Sequence, residues 1–326
     1  MKIAISSYHV PVSVANYLRR AALRLGHEVV LMGSTSGNRI PWPDSPTRAF
    51  GGVAATDLVE SHDADIQIDV DGALYDERPA PCPRALVLTD PHIGDIPPTP
   101  WPAEWRESPQ KFPMTGVCEA LADPRYLYEK QRTHAASVGS KVFCMQWTQR
   151  RPDEFLLPYA YDPEWHQVTA PLDITGAKAT LLGAPYVERQ ILAKKLNDAG
   201  LRTLGPGRGL YGKEYAAALC SAPVAVVWPL RDDVPGRAFE ALACGRRLVM
   251  KRVPACEEIL WSRSYHPKQI AFVDTMDEAV AAVAESSELP VTSDDARTNA
   301  MWTEMNEHSW DSRLKEILLI TLGRKN

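Results

Sequence analysis

The residues best placed to do chemistry lie in the stretch Asp232-Asp233-Val234-Pro235-Gly236-Arg237-Ala238-Phe239-Glu240-Ala241-Leu242-Ala243-Cys244-Gly245. Asp232 or Asp233 can cap a helix, Pro235 suits its first turn and Gly245 ends it. On that helix Arg237, Glu240 and Cys244 share a stripe by i, i+3, i+7 spacing, while Phe239, Leu242 and Ala243 can face a sheet. Two readings of Glu240 stand. It is a structural acid paired with Arg237 or a neighbouring strand, or its carboxylate accepts both hydroxyls of a ribose while Arg237, beside the helix N-terminus, faces a phosphate.

Other stretches narrow the chemistry. The first strand-to-helix turn, Ser6 to Ser13, lacks Gly-x-Gly-x-x-Gly, which argues against an ordinary nicotinamide dinucleotide site. Gly205-Pro206-Gly207-Arg208-Gly209 is glycine-rich but lacks the Lys-Ser/Thr of a P-loop, and reads as a strand-to-helix loop at the edge of a sheet where ligands bind. Thr89-Asp90-Pro91-His92 follows a strand, so Asp90 and His92 are either a catalytic pair or a plain strand-ending turn. The run Asp63 to Asp71 holds two Asp-x-Asp units, a metal signal in some transferases, but alternation also explains Asp65, Gln67, Asp69 and Asp71 as the polar face of a strand. No metal site is expected.

These residues need elements to position them. Ser13 caps a helix running from Val14 to Leu25, between strands at Met1–Ser7 and His27–Met32, which is a βαβ start. Further strands are expected at 65–70, 84–89 and 141–145. From Lys178 the alternation restarts with strands at 179–183, 201–204, 224–228 and 247–250, and helices at 187–199, 213–221 and 235–244. Helical patterns return at 299–308 and 310–322. The proline-crowded stretch 90–113, with Trp101 and Trp105, admits no regular element.

A chain of 326 residues exceeds one ordinary core, since domains cluster near ~100–150 residues. The expectation is an α/β chain of three parts: an N-terminal Rossmann-like domain over 1–165, a second over 166–308, and a C-terminal helix over 309–326 that crosses back, with a linker near 160–177. Composition is that of an average globular protein, 45% hydrophobic and 24% charged, with no run long enough for a membrane span. Six widely spaced cysteines without a Cys-x-x-Cys pair read as reduced thiols of a cytoplasmic protein. The net charge of −5 gives no general attraction to a phosphate backbone, so nucleic acid is neither implied nor excluded as a partner.

Taken together, Arg237-x-Phe239-Glu240-Ala241-x-Ala243-Cys244-Gly245, Leu157-Pro158, Asp162-Pro163-Glu164-x-His166, Leu182-Gly183, Gly205-Pro206-Gly207 with Tyr215, and Trp310-x-x-Arg313-Leu314 resemble the glycosyltransferase family 4-like clan, and within it the spore-maturation CgeB-like glycosyltransferases. The likeness covers about 155–318; the N-terminal half matches in general pattern only. It implies a GT-B fold, two Rossmann-like domains facing each other across a cleft. It also implies transfer of a sugar from a nucleotide diphosphate sugar, such as a UDP-sugar, to a hydroxyl acceptor, retaining and metal-independent. The donor is a co-substrate and no cofactor is expected.

The resemblance further implies that Glu240 holds the donor ribose and that Arg189, six residues after Gly183, contacts the diphosphate. The family's Glu-x7-Glu pair appears here as Asp232-x7-Glu240, one methylene shorter at the first acid, and Ala184 stands where many relatives carry Arg. Gly183, Arg189, Gly205, Gly207, Arg208, Arg237 and Glu240 are therefore the expected donor-binding set, with Asp90, His92 and Asp232 toward the reacting sugar. The alternatives are a phage-type transferase that modifies a hydroxylated DNA base, and a non-catalytic sugar-nucleotide-binding protein.

Overall fold

The computed structural model describes residues 1–8, 13–34, 63–70, 81–89, 124–172, 174, 176–229, 233–260, 269–289 and 306–323. These form two compact units, Met1–Leu157 with Leu314–Asn326, and Pro158–Arg313.

In the first unit β1 (Lys2–Tyr8), α1 (Val14–Arg24), β2 (Glu28–Ser34), β3 (Ile66–Val70), β4 (Arg84–Leu88), α2 (Pro124–Ser137), β5 (Lys141–Cys144) and β6 (Phe155–Leu156) follow in chain order. The strands make one parallel sheet ordered β2-β1-β3-β4-β5-β6. Helix α1 starts where Ser13 Oγ accepts from the Asn16 amide at 3.2 Å, as its sequence cap requires. Its apolar stripe of Val14, Leu18, Ala21 and Ala22 is buried, and Gly26 leaves it at φ 76°, which favours glycine. Strand β6 was not expected: Phe155-Leu156 reads as an interruption in the sequence, yet Leu157 donates to Cys144 O and the pair extends the sheet by one edge strand.

The polar face expected of β3 is instead buried. Asp69 is 1% exposed, is ion-paired with Arg84 Nε, and accepts from Gln67 Nε2 at 2.8 Å. Asp63 pairs with the Lys2 ammonium and Asp65 accepts from the Lys2 amide at 2.8 Å. The described acids of the Asp-x-Asp run thus serve neighbouring donors, and no cluster of three or more metal-ligating side chains occurs among the described residues. Asp71 lies outside them.

The second unit carries β7 (Ala179–Thr180), α3 (Val187–Asp198), β8 (Thr203–Leu204), α4 (Gly212–Cys220), β9 (Val224–Val227), α5 (Gly236–Ala243), β10 (Arg247–Lys251), α6 (Cys256–Leu260), β11 (Ile270–Val273), α7 (Met276–Glu288) and the start of α8 (Trp310–Leu322). Its parallel sheet is ordered β11-β10-β9-β7-β8. Alternation sends Val224, Val226 and Val249 to one face, against Leu192 of α3 and Val283 of α7. Ala225, Val227, Leu248 and Met250 go to the other, against α4 and the Phe239 and Leu242 of α5. Both faces are covered, so the layers are helix, sheet, helix. Each unit is thus a parallel-sheet, Rossmann-like half. None of the described helices is long and apolar enough to cross a membrane.

From β7 the chain winds outward to β8, then returns past β7 to β9, β10 and β11. The carboxyl ends of β7 and β9 are therefore adjacent where the winding reverses, the place at which open α/β sheets leave a crevice for ligands.

The buried Asp69–Arg84 pair gives the first test. Arg84→Ala leaves a buried carboxylate short of its cation and is expected to cost about 3–5 kcal/mol in urea unfolding, whereas the double change Asp69→Leu, Arg84→Met restores most of that loss. Equal destabilisation by the single and double variants would show that the pair does not act as a unit.

Candidate functional site

The crevice at the β7/β9 junction is built on glycines. Gly183, three residues after β7, holds φ 111°, and a Cβ there would overlap the guanidinium of Arg237. Arg237 thus lies across the Gly183 backbone, an approach that only glycine permits. The Gly207 amide donates to Gly183 O at 2.8 Å and brings in the loop after β8, with Gly207 itself at φ 85° beside Pro185. Gly205 is half-buried in the same loop, while Arg208 is exposed and makes no ion pair among the described residues.

Arg189, on the first turn of α3, is 4% exposed. Its Nε donates to Trp228 O, just past β9, at 3.0 Å, and Nη1 donates to Ala184 O, past β7, at 3.2 Å. The guanidinium sits 4.9 Å from the Tyr186 ring centroid. It therefore bridges the two strand ends that frame the crevice. Burial, and then the neighbouring charge of Arg237, lower its pKa to about 9, which leaves it cationic at neutral pH. No carboxylate forms an ion pair with Arg189 or Arg237 among the described residues; Asp233 acts on Arg189 only as the weakest of its electrostatic neighbours. Two like charges held together in a poorly solvated place favour an anion between or beside them.

Glu240 lies one helical turn beyond Gly236 on α5, and its side chain is 12% exposed. Its Oε1 is 3.8 Å from Nε2 of the buried His166, and lies 3.7 Å from where a Cβ on Gly236 would be, a point that Tyr159 also lines at 3.6 Å. The Tyr215 ring meets the His166 ring edge-on at 6.0 Å between centroids. The Tyr215 hydroxyl is buried beside the Glu240 carboxylate. Burial, then the charge of Glu240, push its phenol well above the usual range. Glu240 does not pair with Arg237.

What fixes α5 is apolar packing behind it, because Pro235 at its N-cap supplies no side-chain hydrogen bond. Phe239 is fully buried and packs on the His308 ring at 5.3 Å. Cys244, whose amide donates to Glu240 O at 3.0 Å, is the buried C-cap, and its proximity lowers the pKa of the Cys220 thiol to about 6. The described cysteines are free thiols.

Of the residues singled out in the sequence, Gly183, Arg189, Gly207 and Arg237 meet at the strand ends, with Gly205 in the adjoining loop and Glu240 further along α5. Arg208 is not drawn in, and Asp90, His92 and Asp232 lie outside the described residues. His166 and Tyr215 belong to quoted motifs but carry no site role in the sequence reading; their packing against Glu240 is tertiary. The Trp228 carbonyl has no sequence signal at all.

Residues 167–319, most of the second unit, match the family model described as Glycosyl transferase-like. No curated protein sequence matches significantly. Among solved structures the chain is similar to a trehalose-6-phosphate protein from E. coli bound with UDP-2-fluoro glucose, at 11% identity and TM-score 0.57, covering 100% of both chains. It is similar to an alpha-glucosyltransferase in complex with UDP and a 13-mer DNA containing a HMU base, at 12% identity and TM-score 0.56, over 99% of this chain and 100% of that one. A sucrose-phosphate synthase from Thermosynechococcus elongatus matches at 11% identity and TM-score 0.54, over 99% and 98%. These likenesses establish the fold, the two-Rossmann GT-B type.

Gly183→Ala tests the crevice itself. The substitution forces a side chain into a left-handed backbone and displaces Arg237, at a cost of about 1–3 kcal/mol. Thermal unfolding should show that loss, and added inorganic pyrophosphate should stabilise the wild-type protein more than the variant. An equal rise in midpoint for both would remove Arg237 and Gly183 from anion binding.

Proposed function

We propose that the chain transfers a sugar from a nucleotide diphosphate sugar to a hydroxyl acceptor, with retention at the anomeric carbon and without an obligatory metal. The observation that carries the reading is the Arg189–Arg237 pair at the β7/β9 strand ends, two neighbouring guanidiniums without an ion-paired carboxylate among the described residues. A diphosphate supplies the missing negative charge.

In the proposed reaction the bond between the anomeric carbon and the diphosphate oxygen breaks, the bonding pair leaving with the diphosphate. The acceptor oxygen bonds to that carbon and its hydrogen departs as a proton. Negative charge grows on the leaving oxygen as positive charge grows on the sugar. Arg189 and Arg237 stabilise the leaving diphosphate, which is the work a metal performs in other transferases. Because Arg189 is already fixed to two backbone carbonyls, little reorganisation is needed as charge develops. Glu240, about one turn of helix further on, accepts the ribose hydroxyls of the donor. The family resemblance supports this role, and the quoted motifs support the finer CgeB-like placement. Asp90, His92 and Asp232 are proposed to act near the transferred sugar. Uridine is the proposed donor nucleoside, since two of the similar structures carry UDP or a UDP-sugar. The acceptor is proposed only as a hydroxyl-bearing molecule.

Calorimetry tests the assignments separately. Arg237→Ala is expected to weaken nucleoside diphosphate binding by about 10–100-fold, the worth of a charge-assisted hydrogen bond, while binding of the free nucleoside changes less than about threefold. Glu240→Gln should weaken both ligands together. If Arg237→Ala lowers affinity for nucleoside and diphosphate alike, the phosphate assignment is wrong. Transfer that persists in EDTA supports the metal-free reading, and an inverted product anomer would refute retention.

A further inference from the structure

The contact between Glu240 and His166 points beyond ribose binding by Glu240 alone. His166 is 1% exposed, on a segment with no helix or strand of its own. The turn Asp162–His166 closes on itself. Asp162 Oδ1 accepts from the Glu164 and Trp165 amides at 2.9 and 3.2 Å, and the His166 amide donates to Asp162 O at 2.8 Å. The Asp162 amide in turn donates to His166 Nδ1 at 3.0 Å. A backbone N–H is only a donor, so Nδ1 is the acceptor and the imidazole proton sits on Nε2. That N–H is the part of the ring next to Glu240 Oε1, at 3.8 Å.

A glutamate side chain has rotatable bonds whose freezing costs up to about 1.5–2 kcal/mol. Here Glu240 is bounded by His166, by the Tyr215 ring packed edge-on against it, and by Gly236 and Tyr159. At 3.8 Å the neutral N–H is longer than a hydrogen bond, so it acts through its dipole, favouring the orientation that keeps one carboxylate oxygen beside it and leaves the second for a ligand, at no cost in charge.

We propose that His166 is a positioning residue for Glu240: its Nε2–H, fixed by the Asp162 turn, orients the carboxylate so that the site distinguishes a ribonucleoside diphosphate from its 2′-deoxy counterpart. The inference rests on the donor-site reading of Glu240 above. It makes sugar-ring selectivity a property of a residue that need not touch the nucleotide.

Two substitutions separate positioning from scaffolding. His166→Asn keeps an acceptor near Nδ1 for the Asp162 amide and gives up the donor beside Glu240. His166→Gln keeps an amide donor at the reach of Nε2 and gives up the acceptor. Calorimetry on the full chain would use the diphosphates of uridine, guanosine, adenosine and cytidine with their 2′-deoxy forms, and thermal unfolding would report on the fold. Wild type is expected to prefer the best-bound ribonucleotide by about tenfold or more, the worth of a hydrogen bond to a charged group. His166→Asn should cut that preference to under about threefold by weakening the ribonucleotide alone, while His166→Gln stays within about threefold of wild type. A purely structural His166 gives the reverse: Asn tolerated with preference intact, and Gln losing both ligand series together. Either that pattern or parallel loss in both variants overturns the proposal. Wild-type protein that binds none of the diphosphates overturns the donor-site reading itself, which is a different result from binding without a His166 effect.

Discussion

The second unit depends on a short backbone tie. Tyr161 donates from its amide to His308 O at 3.1 Å and accepts at its own carbonyl from the Trp310 amide at 3.0 Å. Arg313 adds hydrogen bonds from Nε to Pro158 O and from Nη1 to Glu307 O, at 2.9 and 3.3 Å. Segment 158–166 has no ladder of its own, so this tie gives it a fixed place and leaves the next turn to present His166. The same tie fixes His308, whose ring packs on Phe239, the residue before Glu240 on α5. Burial and the adjacent Arg313 hold the His308 pKa down, to about 4, so it stays a neutral acceptor toward Arg313 Nη2 and adds no charge behind the helix. Two sides of Glu240, its neighbour His166 and its own helix, are therefore set by one set of backbone bonds.

That arrangement explains why a helix of eight residues without a side-chain cap can hold the carboxylate of the proposed donor site in place. Isolated helices this short are unstable in water, and tertiary packing must supply the order. Ala238, Phe239, Ala241, Leu242 and Ala243 are all buried, leaving Gly236, Arg237 and Glu240 less enclosed. The apolar residues set the rotation of α5, and the two charged residues follow from it.

The alternation of strand and helix was legible because buried parallel strands are short aliphatic runs and the helices between them have clear stops. The expected helix at 310–322 matches α8, and the strand at 224–228 is one residue longer than β9. Phe155-Leu156 was not legible as a strand, since two residues carry no period and the prolines nearby imitate a linker. The grouping of Gly183 with Arg237 is also invisible locally. Nothing in Leu182-Gly183-Ala184 says which side chain will cross it; only the order of β7 and β9 in the sheet decides that. Asp69 misled in the opposite direction: alternation assigns it a polar face, but its partner Arg84 is fifteen residues away, and burial of both follows from the register of β3 on β4.

Buried arginines in this chain differ in how their charge is met. Arg84 and Arg132 each face a buried carboxylate, Asp69 for one and Glu154 for the other, the latter at 2.6 Å. Each brings its counter-charge with it, as a structural cation should. Arg189, like the buried Arg246, has backbone carbonyls for hydrogen-bond partners and a second guanidinium for an electrostatic neighbour. Carbonyl dipoles satisfy its N–H groups without cancelling the charge. Deprotonation offers no relief at neutral pH, because its lowered pKa of about 9 still lies above that range. The energetic cost of holding the two cations together therefore persists in the free protein, and in the proposed donor complex the diphosphate relieves it.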